Sequence, residues 1–295
     1  MKGSHRHFSL RRVAALTGNT FTGLVRLKVF CFLLLFGLLL IGSSLFMAQL
    51  TFQQEFKILK DVSLGAMSLF TSLLAIVATA QLIPRDIEDR TIYTILAKPV
   101  PRYEYLLGRL GGVLLLLALS LFAMSGLFLA LLFVRQEMLA RELLRQSAGL
   151  APIQIQESLA TLKASALNAN LLPGIVIIFL KASLLASLTL FISTFATSNL
   201  FTIVVTVFVY FIGHLQSTAR AYWLQTHGGG GWLAQILLGF VALAFPDLQL
   251  FNLIDDIVAG TPTPLTLFGQ TALLGGVYTS VYLFFAWVAF HGKEL

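Results

Sequence analysis

The chain reads as an all-α membrane protein: six transmembrane helices, an N-terminal interfacial helix, a charged cytosolic helix, and a re-entrant or interfacial helix before the last span. Three observations predict this. Hydrophobic residues make up 57% of the chain and charged residues 11%, with a mean hydropathy of +0.87, outside the range of soluble globular domains. Six apolar runs are each long enough to cross a bilayer as a helix. All but one of the 20 Lys and Arg residues (Lys181) lie outside those runs and they form no aromatic-interleaved patch, so the +7 net charge marks topology and not a nucleic-acid partner.

Residues 1–28 carry Lys2, Arg6, Arg11, Arg12, Arg26 and Lys28 and no acidic residue. Leu10, Val13, Ala14, Thr17, Phe21, Leu24 and Val25 recur at helical spacing, with Arg11, Arg12, Thr22 and Arg26 elsewhere on the wheel. This predicts a helix over 8–28 lying in the membrane surface, its basic face among anionic lipid headgroups. A signal peptide does not fit, because the apolar run starts late, is too long and lacks a small-residue cleavage pattern.

The first span is 29–50, whose 22 residues reach roughly 33 Å as a helix. A polar hairpin (51–61) leads to a second span, 62–83, then to the charged stretch 84–109 and a third span, 110–134. Residues 135–171 are polar and helix-favouring, which predicts one or two amphipathic helices outside the bilayer. Spans over 172–197 and 199–216 follow. Gly228–Gly231 is expected to be a flexible hinge. The 14 residues 232–245 are too few to cross, so a re-entrant or interfacial helix is expected there, anchored by Trp223 and Trp232. Asp247, Asp255 and Asp256 mark a solvent-facing segment before the last span, 265–290. Residues 1–295 thus form one domain.

Twelve Lys and Arg residues fall in 1–28, 84–109 and 291–295, and seven in the longer segments expected on the opposite side. That bias places both termini in the cytoplasm. The lone Cys31 sits in an apolar run; it excludes a disulfide framework and is expected as a small buried hydrophobe.

Little in the chain looks catalytic. The five histidines (His5, His7, His214, His227, His291) have no metal-ligand spacing, and no G-x-x-x-x-G-K-[ST] loop occurs. No catalytic, cofactor or metal site is therefore predicted. His214 and Arg220 are expected at the outer interface. Lys181 lies inside a span, where an ammonium is costly and often functional. It sits about nine residues, or ~13 Å, from the outer end, so snorkelling or a helix-to-helix bond is expected, with a place on a translocation path as the alternative. Gly37, Gly42-Ser43-Ser44, Gly111-Gly112 and Gly275-Gly276 suggest close helix packing.

The stretch Ile83–Arg109 is the most charged part of the chain. Ile87, Thr91, Ile92, Ile95 and Leu96 recur at helical spacing, while Asp86, Asp89, Arg90 and Tyr93 lie on the other side. Pro99 and Pro101 stop this helix, and the pattern is helical again from Tyr103. A short amphipathic helix, a proline elbow and a return to the membrane make a docking surface for a soluble partner. Acidic residues gain nothing from an anionic membrane surface, so Glu88 to Lys98 fit docking better than headgroup anchoring. Arg85 and Arg109, at span ends, fit anchoring better.

This stretch resembles the cytosolic coupling segment of ABC-2 type transporter permeases. The matching residues are Glu88-Asp89-Arg90-Thr91, then Leu96-Ala97-Lys98-Pro99-Val100-Pro101-Arg102, then Leu107-Gly108-Arg109. The likeness extends more weakly over the whole chain. Many members have glycine where this chain has Arg90. With Ile92-Tyr93, the segment is closer to the subgroup labelled permeases of multi-copper enzyme maturation, a label that defines no substrate. The resemblance implies a permease subunit of an ATP-driven transporter, an exporter, paired with a second permease chain, identical or paralogous. Only with this transporter reading is a plasma membrane of the bacterial inner-membrane type expected. Two soluble ATPase subunits would hold the ATP and Mg, so no cofactor is expected on this chain. Glu88, Asp89, Arg90, Lys98 and Arg102 would form rim charge pairs. Ile95 and Leu96 would supply apolar contact, and Thr91 and Pro99 belong to the same motif.

Three rivals remain at this level. An ion-driven secondary transporter would usually carry buried carboxylates or broken helices near the midplane, and no Asp or Glu falls inside an assigned span. A lipid-modifying enzyme would need clustered His, Asp or Glu at a span end. A non-transporting assembly factor with the same fold is not separable by sequence.

Overall fold

Where lipid replaces water, a backbone must satisfy its own N–H and C=O groups, and long runs of Leu, Phe, Ile and Ala do so as helices. In the computed structural model, the described residues are 8–49, 55–88, 101–146, 152–167, 170–196, 198–227, 245–252, 254–259 and 264–292, and among them every regular element is helical. In chain order these are α1 (Leu10–Val25), α2 (Lys28–Gln49), α3 (Glu55–Ala80), α4 (Leu82–Glu88), α5 (Arg102–Gln146) and α6 (Pro152–Ala166). Then come α7 (Leu171–Phe195), α8 (Asn199–His227), a 3-10 turn (Leu248–Phe251), α9 (Ile254–Ala259) and α10 (Leu265–His291). Six helical stretches are long and apolar enough to cross a membrane: α2, α3 with α4, α5, α7, α8 and α10.

α3 and α7 form the middle of the bundle, and the others surround them. The outer helices turn large apolar side chains outwards, such as Phe32, Leu35 and Leu39 on α2 and Phe208, Phe211 and Leu215 on α8. On a span, such a face meets lipid tails or another apolar chain. Cys31 lies on the exposed side of α2, so the expected burial is not seen. A thiol costs little against hydrocarbon, which leaves its direction unconstrained.

The two described ends of the chain meet at one end of the bundle. Ser9 and Arg12 contact Glu104 on the first turn of α5, while the Arg102 side chain reaches Phe290 and His291 at the close of α10. We call this the proximal end. At the distal end, the packed residues are Ile41, Leu59, Met67, Phe128, Leu132 and Leu171.

Several elements differ from the sequence expectation. The third span continues without a break: α5 has 45 residues, roughly 67 Å, against the ~30 Å of a hydrocarbon core. It therefore takes in the first part of 135–171, and α6 supplies the second helix expected there. α6 folds back on α3, where the Lys60 ammonium donates to the Ser165 carbonyl at 2.7 Å. Glu55, expected in a polar hairpin, opens α3 and pairs with Arg135 at 2.6 Å. α8 runs beyond 216 to His227. α1 is shorter than 8–28 and packs against α5, on the stripe Gly108, Gly111, Gly112: a Cβ added at these glycines would come 2.5 Å from Leu16, 2.8 Å from Thr17 and 2.5 Å from Thr20. Gly37 similarly accepts Met124 and Phe70, and Ser44 meets Ser63 at 3.3 Å, whereas Gly42 and Gly276 face open space.

Residues 232–244 of the expected re-entrant helix lie outside the described residues, as does the Gly228–Gly231 hinge. The turn that follows is placed, and it dips into the bundle. Leu248 and Phe251 are buried; a Cβ on Gly213 would meet the Pro246 carbonyl at 2.7 Å, and one on Gly275 would meet Phe251 at 3.0 Å. Asp256 is exposed, as expected of this segment, whereas Asp247 is partly covered. The Asp247 carboxylate accepts the Gln249 N–H at 3.1 Å, holding the turn closed.

Candidate functional site

Two polar groupings stand out inside an otherwise apolar bundle. The first is at the proximal end. Pro84 lacks an N–H for the Ala80 carbonyl and its ring clashes there, so α3 stops and a new short helix begins, with Pro84 in its first turn. The break turns Asp86 inwards. Tyr105 and Arg109 are four residues apart, hence on one face of α5, and both donate to the Asp86 carboxylate. The guanidinium of Arg109 also lies 5.3 Å from the Tyr105 ring centroid and donates to Thr20 of α1 at 3.1 Å. Asp86, Tyr105 and Arg109 are all buried.

The neighbouring α5 side chains hold the rest of this end. Glu104 is fully buried; its carboxylate accepts the Ser9 N–H at 2.9 Å and pairs with Arg12 at 2.8 Å. Arg102 donates to the carbonyls of Phe290, at 2.9 Å, and His291, at 2.6 Å. A cation there complements the C-terminal dipole of α10 and satisfies its last carbonyls. The first two turns of α5 therefore bind α1, α4 and α10 at once.

This grouping rearranges the sequence expectation. Arg109, expected as a headgroup anchor, is instead buried against Asp86. Its charge was legible but its partner was not, because Asp86 faces α5 only through the kink at Pro84. Glu88 ends α4 and is exposed. Asp89, Arg90, Thr91, Ile95, Leu96, Lys98 and Pro99 lie outside the described residues. The ends of that stretch are placed, and Asp86 with Tyr105 and Arg109 ties its entry to its exit.

The second grouping is at mid-depth. Lys181 is buried, and its ammonium lies 3.2 Å from the Ser68 hydroxyl and 3.0 Å from His214 Nε2, with the Tyr210 ring centroid at 5.7 Å. Ser68 is close to the middle of α3, so this ammonium sits deep in the bundle. It does not snorkel; it is a helix-to-helix bond joining α3, α7 and α8. His214 was expected at the interface, yet its ring turns inwards, with Nδ1 3.1 Å from the Tyr210 carbonyl and Asp247 of the wedged turn within electrostatic reach. Sequence alone gave no sign that residues 33 positions apart would meet. No group of three His, Cys, Asp or Glu suited to a metal ion occurs among the described residues.

Fold and groupings together define a multi-pass α-helical membrane protein built on six apolar helices. No family model matches the chain, and no curated protein matches it either.

Proposed function

We propose that this chain is the permease subunit of an ATP-binding-cassette transporter of the ABC-2 type, exporting a substrate across the plasma membrane. Both termini would be cytoplasmic, putting the proximal end on that side. A second permease chain, identical or paralogous, would complete the path within membrane lipid. Separate soluble ATPase subunits would bind and hydrolyse ATP with Mg.

The reading rests on the motif from Glu88 to Arg109, and one structural observation supports it. The stretch 89–100 leaves α4 and enters α5 at points joined by the buried Asp86–Arg109 pair, and that pair touches Thr20 of α1. A soluble partner pushing on Glu88, Asp89, Arg90, Lys98 or Pro99 would move α1, α5 and α10 together, because rigid packed elements transmit displacement. Within this reading α1 is the interfacial helix, and the turn at Leu248–Phe251 belongs to the re-entrant segment.

The test is purification of the tagged chain in mild detergent, followed by mass spectrometry and an ATPase assay of what accompanies it. A soluble P-loop protein is expected, and Glu88→Ala with Arg90→Ala is expected to release it or uncouple its hydrolysis. Normal transport by that double variant would sink the docking assignment; absence of any ATPase, also in native membranes, would sink the class.

The buried Lys181–His214 pair favours a second reading, an ion-driven carrier, since deep ionisable groups commonly line ion or proton paths. The two separate cleanly in sealed vesicles: the first reading expects transport to need ATP, the second an ion gradient alone.

A further inference from the structure

The corner between α1 and α2 closes one side of a cavity of about 360 Å³, within the ~300–1,000 Å³ usual for small-ligand sites. Its polar lining is Asn19, Thr20, Arg26, Gln81, Arg85, Asp86 and Arg109. Three guanidiniums thus share a wall with one carboxylate, and that carboxylate is already engaged by Arg109 and Tyr105. The cavity carries net positive charge. Arg109 is only 7% exposed and is already engaged by Asp86 and Thr20, so the charge open to a bound group is that of Arg26 and Arg85 at the mouth of the cavity.

The chemistry selects among anions. Guanidinium forks match the planar, multi-oxygen faces of phosphate, and several converging forks favour a group with three acceptor oxygens. Location narrows the source. The remaining wall is apolar (Leu24, Leu27, Leu82), and the cavity lies where a surface helix turns into a span. Two residues beyond Leu27, α2 begins an exposed apolar row of Val29, Phe32, Phe36 and Leu39, at the spacing of one helix face.

We propose that this cavity binds a phosphate group presented by a membrane phospholipid, with an acyl chain laid along the α2 row. The bound headgroup bridges α1, α4 and α5, so lipid occupancy tightens the end of the bundle that Asp86 and Glu104 already hold. This does not depend on the chain being a transporter.

The test is native mass spectrometry of the full chain in neutral detergent, with dioleoyl phosphatidylglycerol, dioleoylglycerol or inorganic phosphate as probe. The variant is Arg26→Gln with Arg85→Gln; both side chains are exposed, and lipid-free thermal unfolding checks that the fold is unchanged. Wild type is expected to retain phosphatidylglycerol and the double variant to bind it at least roughly tenfold more weakly, given charge-assisted bonds to phosphate. Dioleoylglycerol should show no arginine dependence. Equal phosphatidylglycerol binding by both proteins, or dioleoylglycerol binding to wild type as tight as that of phosphatidylglycerol, overturns the site. Inorganic phosphate that protects wild type as well as the lipid does, with the same arginine dependence, keeps the phosphate site and overturns the lipid as its source.

Discussion

At the proximal end, cations meet carboxylates supplied by other helices: buried Arg109 meets Asp86, and the partly exposed Arg12 meets buried Glu104. At mid-depth, the Lys181 ammonium meets a hydroxyl, an imidazole and an aromatic face, none with a fixed negative charge. Both groupings remove charge from water, which is costly in either place. The first recovers that cost in closed ion pairs and holds helices in register. The second leaves the ammonium open to an incoming anion or a change in protonation. A closed pair therefore reads as architecture, and an ammonium that no carboxylate among the described residues pairs with reads as a tie between helices that can still take an anion.

Asp86→Ala should break that contrast hardest, because it strands Arg109 in a buried site. A loss of roughly 3–5 kcal/mol is expected in detergent unfolding, with much of it restored by adding Arg109→Met. Unchanged stability in Asp86→Ala would remove the pair from the account of this end. Gly112→Val is expected to be milder, about 1–3 kcal/mol, since its side chain would strike Thr20 and push α1 off α5. The control is Gly18→Ala, which points into open space and should be neutral or stabilising by up to ~1 kcal/mol. Lys181→Met sharpens the other side. Stability should stay within about 1 kcal/mol of wild type, because only bonds to uncharged partners are lost from within a bundle. Under the transporter reading, transport in sealed vesicles should fall far more than stability. Parallel loss of both would make Lys181 a structural tie.

How far each grouping was legible follows from the range of its interactions. Arg109 and Asp86 were visible as charges in one stretch, but the helix break at Pro84 was not read from the sequence. The direction in which the break turns Asp86 depends on α5 packing beside it. Glu104 was passed over because its partner is α1, more than ninety residues earlier. Lys181 was recognised as costly and expected to snorkel or to bond between helices, but which partners it would find was not legible. Ser68, Tyr210 and His214 reach it only once α3, α7 and α8 are side by side. Asp256 faces outwards as read, but that Leu248 and Phe251 draw the neighbouring turn inwards and partly cover Asp247 was not legible, because a polar residue among turn formers looks like a surface loop.

The sequence by itself determined the solvent this protein lives in, its wholly helical class and its six apolar spans, because mean hydropathy and run length decide whether a helix prefers lipid. Only the tertiary structure decided which charges pair, which glycines admit a neighbouring helix, and that one end of the bundle is held by the first turns of α5 while an ammonium waits at its middle. Those outcomes depend on contacts between residues far apart in the chain, and helical periodicity carries no record of which helix will stand beside which.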